Sequence, residues 1–277
     1  MCCREGEEAM TSEQWQASRF GIGEDGIAVW TMTEPEIMNP LTPELNSDFR
    51  TLVDRVQNNS DVRALIMAGE GRAFSAGGNV KGMVQREFDA HDSRNRLLSA
   101  HEWVEKLYNL DCPVIAAVDG LAYGGGLSFC LLADFVMASP RAQFCCVFGR
   151  IGLIPDLGVL YTLPRIVGMA KAKELMYTAR SFDAAEAEDL GIVHSIHASD
   201  ELMDNARAFA GRLSQGSKSA MALTKRVVNG SSEMPYRDVV DAEANGQALM
   251  FTTPFHKEAV RRFVDKEPRL YDWDSMK

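Results

Sequence analysis

The segment Asp119-Gly-Leu-Ala-Tyr-Gly-Gly-Gly-Leu-Ser128 constrains the fold more than any other part of the chain. The short apolar strand Pro113–Val118 leads into it, and an almost wholly apolar stretch, Leu127 to Phe135, leads out. A helix that is apolar all round has no solvent face and must lie inside the protein. Its first turn here is glycine, so N–H groups without intrahelical acceptors face whatever lies ahead of them. That arrangement suits an anion or a developing oxyanion. Tight helix packing explains three consecutive glycines equally well. A nucleotide loop is disfavoured, because neither GxGxxG nor GxxxxGKS/T is present.

A second glycine turn, Ala73-Phe-Ser-Ala-Gly-Gly-Asn-Val80, follows the strand at 62–67 in the same manner. Upstream, 26–33 has strand composition, and Thr42-Pro43-Glu44 begins a helix with an N-cap, a first-turn proline and an acid. Leu45, Phe49, Leu52 and Val56 form its buried stripe, and 95–110 reads as another helix. Strands alternating with helices predict an α/β core with a largely parallel sheet. Beyond about residue 200 the strand signals stop, and helices are expected near 200–214, 217–229, 236–251 and 255–265. The organisation is therefore a polar tail over 1–18, an α/β core over 19–200 and a C-terminal helical region over 201–277. No fixed-period repeat is visible.

Charge narrows the function. The formal net charge of −10, with no cluster of Lys and Arg, argues against a nucleic-acid backbone as main partner. Six cysteines show no CxxC or zinc spacing, which fits a reduced cytoplasm, and no metal site is expected. The start, MCCREGEEAMTSEQ, lacks the apolar stretch of a signal peptide, and the longest apolar run, interrupted by Asp134, is too short to span a membrane.

The two turns, with Ala142-Gln-Phe144 and Gly149-Arg-Ile-Gly-Leu-Ile-Pro-Asp-Leu-Gly158, resemble the crotonase superfamily, the enoyl-CoA hydratase/isomerase family. Asn39-Pro-Leu-Thr-Pro43, LPRIVG at 163–168 and ALTKRVV at 222–228 extend the resemblance over about 20–270. It implies a spiral of ββα units, a C-terminal helical oligomerisation region, and trimers or dimers of trimers. It also implies acyl-CoA substrates, with no cofactor beyond the coenzyme A of the substrate. Two backbone N–H groups, carried over to Ala76 and Gly125, would hold the thioester oxygen as an enolate forms. Ser75, Gly77, Gly78, Asn79 and Gly124 would line the substrate around them.

Hydratases of this family use two glutamates, and this chain has Ser128 and Phe148 at those positions. Neither side chain can act as a carboxylate base, so two-glutamate hydration lacks both catalysts. Ser128 reads as a helix residue bonding its own backbone, and Phe148 as part of an apolar acyl pocket or the core. Asp156, flanked by Ile154, Pro155, Leu157 and Val159, remains. In the family's dienoyl-CoA isomerases and phenylacetate-pathway ring-epoxide isomerases, an aspartate in this context transfers the proton. Apolar neighbours raise a carboxyl pKa toward that task. Asp156 is equally well placed to N-cap a helix beginning near Leu157.

The expected activity is thus an acyl-CoA isomerase, shifting a Δ3 double bond to Δ2 or rearranging a ring-epoxide thioester with Asp156 as acid/base. The alternatives are an enoyl-CoA hydratase of fatty-acid degradation, or a crotonase-like protein binding acyl-CoA or RNA without turnover. Against RNA, the first helix mixes Asp48 and Asp54 with Arg50 and Arg55. Lys81 is a candidate cation for coenzyme A phosphates, and Phe263 with Lys266 matches a family segment that meets the adenine end, often from a neighbouring subunit. Asn39-Pro40 departs from the common Asn-Ala of the family, and Glu36 lies in a region where the family often has a cation for coenzyme A. The five histidines show no metal spacing, and Glu102 and Glu105 read as a solvated helix face.

Overall fold

The structure, a computed structural model, describes residues 11–84 and 89–276. Its main sheet has seven strands in the order Thr11–Gln14, Ser18–Ile22, Ile27–Met32, Ala64–Gly69, Val114–Val118, Phe135–Ala138 and Ser195–Ile196. The first three form an antiparallel meander, and every later pairing is parallel. A second sheet has the order Ser181–Asp183, Gln143–Cys145, Leu121–Tyr123 and Ala73–Ser75. Three times, a strand of the main sheet is followed by a strand of the second sheet and then by helical chain, which is the ββα spiral the motifs implied. The spacing between these units is unequal, so no sequence period betrays them.

The helices in chain order are α1 (Pro43–Gln57), α2 (Val80–Met83), α3 (Ala90–Tyr108), α4 (Gly125–Cys130), α5 (Val159–Val167), α6 (Met169–Thr178) and α7 (Ala184–Asp189). The C-terminal region adds α8 (Leu202–Ser214), α9 (Lys218–Ser231), α10 (Tyr236–Met250) and α11 (Pro254–Val264). Thr42 caps α1 as expected, its side chain accepting from the Leu45 N–H at 3.1 Å.

Alternation along the strands divides the core. Ile27, Val29, Ala64, Ile66, Ile115 and Met137 pack on one sheet face against α8, through Leu202, Ala206, Phe209 and Leu213. Leu65, Met67, Val114 and Ala116 face the other side, with α1, α3 and α4. Each large side chain sealed here contributes roughly 1.5–3 kcal/mol. On the second face Phe49 of α1 stacks on Trp103 of α3 at 4.2 Å and meets Phe129 of α4 edge-on at 4.9 Å. These aromatics hold α4, whose first residues are the glycine turn.

Two expectations need correction. The fold begins inside the segment read as a tail, because Thr11–Gln14 pairs with Ser18–Ile22. This polar edge strand carries no apolar alternation, and its anchor comes from later, where buried Asp48 accepts from the Ala17 N–H at 2.8 Å and the Ser18 hydroxyl at 2.7 Å. The apolar stretch Leu127 to Phe135 is not one helix: α4 ends at Cys130 and Phe135 starts a strand. Asp134 separates them, accepting from the Val114 N–H at 2.7 Å and pairing with Lys225 of α9 at 2.6 Å. Helix and buried strand share an apolar composition, so periodicity alone did not divide them. No described helix is long and apolar enough to cross a membrane.

Candidate active site

The first glycine turn is shaped by Asn39, fully buried at φ 49°. Its amide donates to the Ala73 carbonyl at 2.9 Å and the Glu70 carbonyl at 3.0 Å, while its oxygen accepts from the Glu34 N–H at 2.9 Å. Ser75, also fully buried, donates to the Asn39 carbonyl at 2.7 Å and accepts from the Gly77 N–H at 3.2 Å. The Ser75 hydroxyl therefore serves the loop, not a ligand. Gly77 has φ +82°, and a Cβ on it would lie 2.4 Å from the Tyr123 carbonyl oxygen and 2.9 Å from the Gly125 nitrogen. The two turns meet at this point.

Ala76 is not available as the second oxyanion donor. Its N–H already donates to the Met38 carbonyl at 2.9 Å, a partner in the preceding loop that no local motif reveals. Gly78 follows, half-buried, with only the Met83 methyl near the place a Cβ would occupy. Asn79 caps α2 by accepting from the Gly82 N–H at 3.0 Å, and Lys81 beyond it is exposed.

In the second turn both readings of the glycines hold, at different residues. A Cβ on Gly126 would lie 2.2 Å from the Ser75 carbonyl oxygen, so this glycine permits close packing. Gly125 opens α4, so its N–H has no carbonyl one turn back, and among the described residues no other acceptor takes it. Gly124, at φ 52°, donates to the Cys145 carbonyl at 2.9 Å and fixes the turn against the third ββα unit.

Asp156 lies beside these turns. The next residue, Leu157, is buried at 4% exposure, takes φ +52°, and its Cδ1 is 3.4 Å from where a Cβ on Gly125 would sit. Among the described residues no group hydrogen-bonds the Asp156 carboxylate. Burial raises its pKa, opposed by the charges of Arg96 and His101 on α3. Asp156 does not cap the following helix: α5 starts at Val159, its N-cap is Gly158, and no side chain caps it. The two hydratase glutamate positions are sealed. Ser128 is fully buried, and Phe148, 8% exposed, ends 3.9 Å from the place of a Cβ on Gly124. Nearby Cys146 is pushed up to about 12 by burial, with Cys145 and Asp156 adding to it.

A cleft of about 460 Å³ begins two residues past Asp156, between α3, α5 and α9, with Gly158, Val104, Leu132, His101 and Tyr161 among its walls. His101 and Arg96 are features that sequence reading passed over, since only the fold brings α3 to Asp156. A larger cavity of about 770 Å³, walled by Ile192, Leu213, Met221 and Val228, contains neither glycine turn nor Asp156 and lies outside this site. Glu102 is exposed and pairs with Arg50 at 3.0 Å, as a solvated face should. Phe263, 79% exposed, and Lys266 lie at the C-terminal end, where α11 buries no residue. Among the described residues no group of three metal-binding side chains occurs.

Parallel ββα units wound into a spiral, with two glycine turns abutting and helices appended, define a crotonase-fold protein. The profile of the enoyl-CoA hydratase/isomerase family matches residues 23–275. The short-chain-enoyl-CoA hydratase of Clostridium acetobutylicum is 30% identical, covering 88% of this chain and 93% of its own. The crotonyl-CoA hydratase of Syntrophomonas wolfei is 32% identical, with the same coverage of 88% and 93%. A crystal structure of an enoyl-CoA hydratase/isomerase from Cupriavidus metallidurans superposes with a TM-score of 0.88 at 35% identity, over 94% of this chain and 97% of that one. The chain belongs to the enoyl-CoA hydratase/isomerase family of the crotonase superfamily.

Proposed function

We propose that this family member is an acyl-CoA isomerase that works with one carboxylate. The observation that carries the reading is Asp156: half-buried, raised in pKa, adjacent to the glycine turns and, among the described residues, with no hydrogen bond to its carboxylate, while both glutamate positions hold side chains without proton chemistry. Asp156 takes a proton from C2 of a 3-enoyl thioester. The electrons of that C–H bond move onto the thioester oxygen, giving a dienolate held by the N–H of Gly125 and, in place of the occupied Ala76, that of Gly78. Protonated Asp156 returns the proton to C4, and the double bond ends between C2 and C3. The same base and oxyanion donors would serve rearrangement of a ring-epoxide thioester. The acyl group beyond the reacting carbons is assigned to the cleft past Gly158, and Lys81 to a coenzyme A phosphate.

A hydratase is the second reading, because the relatives above carry hydratase names. Offering 3-enoyl-CoA and 2-enoyl-CoA to the same preparation separates the two. Isomerisation is expected to exceed hydration by about 100-fold, the order one positioned acid–base group contributes; faster hydration of 2-enoyl-CoA overturns the isomerase reading.

Homotrimers or dimers of trimers are proposed from the C-terminal helices. Neither α10 nor α11 buries a residue, and Leu249, Phe251, Val260, Phe263 and Val264 are exposed apolar side chains. Exposed apolar side chains on helices that bury nothing within the chain call for a partner surface, and a neighbouring copy would bring Phe263 and Lys266 toward the adenine end of the substrate. Light scattering is expected to give three or six times the chain mass; a monomer at micromolar concentration refutes this.

A further inference from the structure

We infer that Ser128 is a positioning residue that braces the base to the oxyanion turn through two main-chain carbonyls. Its hydroxyl, fully buried, lies 3.0 Å from the Asp156 carbonyl oxygen and 3.3 Å from that of Gly124. One hydroxyl carries one proton, so this is a shared bond in which Asp156 takes the larger part. The Gly124 carbonyl belongs to the same peptide unit as the Gly125 N–H, and it also accepts the Ser128 N–H at 3.0 Å. Bonds to that carbonyl orient the peptide plane and polarise the N–H at its other end. At the far side, the Asp156 carbonyl belongs to the peptide that enters Leu157, a non-glycine residue at φ +52°. A left-handed leucine is strained and persists only where its surroundings hold it. Here the Ser128 bond, a 3.3 Å bond from the Val159 N–H and the burial of the Leu157 side chain do so.

A self-bonding helix serine would touch only the carbonyl four residues back. Ser128 makes that contact and a shorter one across 28 positions of sequence, to the residue carrying the carboxylate. It thus occupies a glutamate position of the hydratases without proton chemistry, and fixes the distance between the two groups that must act on one substrate. This inference rests on the reading of Asp156 as the base.

The test is steady-state kinetics of Ser128→Ala and Ser128→Cys on 3-enoyl-CoA across pH. Misplacement of a catalytic group by about 1 Å costs on the order of 100-fold, so Ser128→Ala is expected to lower kcat roughly 10- to 100-fold with KM within about threefold. Cysteine fills the same space with a somewhat larger atom and loses most of the donor strength, so the brace predicts an alanine-like rate for Ser128→Cys, whereas a role in filling space alone predicts a rate near the wild type. The pH profile supplies a second readout. The charged and titratable groups around Asp156 are Arg96 and His101 of α3 and Cys146. A loop released by Ser128→Ala admits water to the carboxylate, so the acid limb of kcat/KM is expected to move to lower pH. Wild-type kcat and an unmoved limb in both variants overturn the brace. Should Asp156→Asn prove fully active, the reading of the base fails instead, and the two failures are distinguishable.

Discussion

Asp156→Asn is expected to lower turnover of 3-enoyl-CoA by about 1,000-fold, within the 10²- to 10⁴-fold span of a positioned acid–base group, while KM changes little. Asparagine preserves the shape and replaces the carboxylate with an amide too weakly basic to take the C2 proton. In the wild type, the base must be ionised, so activity falls as pH drops through a folded-state pKa lying above the ordinary aspartate range. The same shift has a stability consequence of opposite sense. Between the unfolded and the raised folded pKa the native state binds more protons than the unfolded chain, so stability declines as pH rises through that window. Above it the chain carries a partly desolvated charge. Asp156→Asn is therefore expected to raise the thermal midpoint at neutral pH while removing activity, a trade-off typical of functional sites. A variant that is inactive and also less stable at neutral pH contradicts this account of the shift.

The parts of this site that were legible in sequence are those made by local chemistry. Thr42-Pro43-Glu44 announced α1, because a cap and a first-turn proline act within one turn. The glycine turns were visible because Gly77 takes a left-handed φ and a side chain at Gly126 would strike the Ser75 carbonyl, and the apolar run after Gly126 announced burial. The parts that were not legible are set by contacts distant in sequence. Nothing near Ala76 says that Met38 consumes its N–H, and nothing near His101 says that α3 lies against Asp156. The capping role weighed for Asp156 failed for a reason of the same kind. Leu157 and Gly158 both adopt positive φ, so the helix starts later and the carboxylate is left free.

Gly77→Ala is expected to reduce turnover by about 100- to 1,000-fold, the loss associated with one oxyanion donor, although the added methyl group touches no substrate. The argument is steric. The new Cβ would lie 2.4 Å from the Tyr123 oxygen, 2.9 Å from the Gly125 nitrogen and 3.3 Å from the Tyr123 carbonyl carbon. All three are backbone atoms, so no side chain can rotate away, and relief requires the two turns to separate. Separation displaces the Gly125 N–H from its partner donor, so the oxyanion loses one of its two bonds. Gly191→Ala provides the matched comparison, since Gly191 has a similar φ of +74° but nothing within 4 Å of its Cβ position. Both variants carry the left-handed penalty of roughly 1–2 kcal/mol. Only Gly77→Ala adds the collision, so Gly191→Ala should lose some thermal stability and keep its turnover. Equal kinetic losses in the two variants would trace the defect to backbone strain in general, and the coupling of the two turns at Gly77 would be refuted.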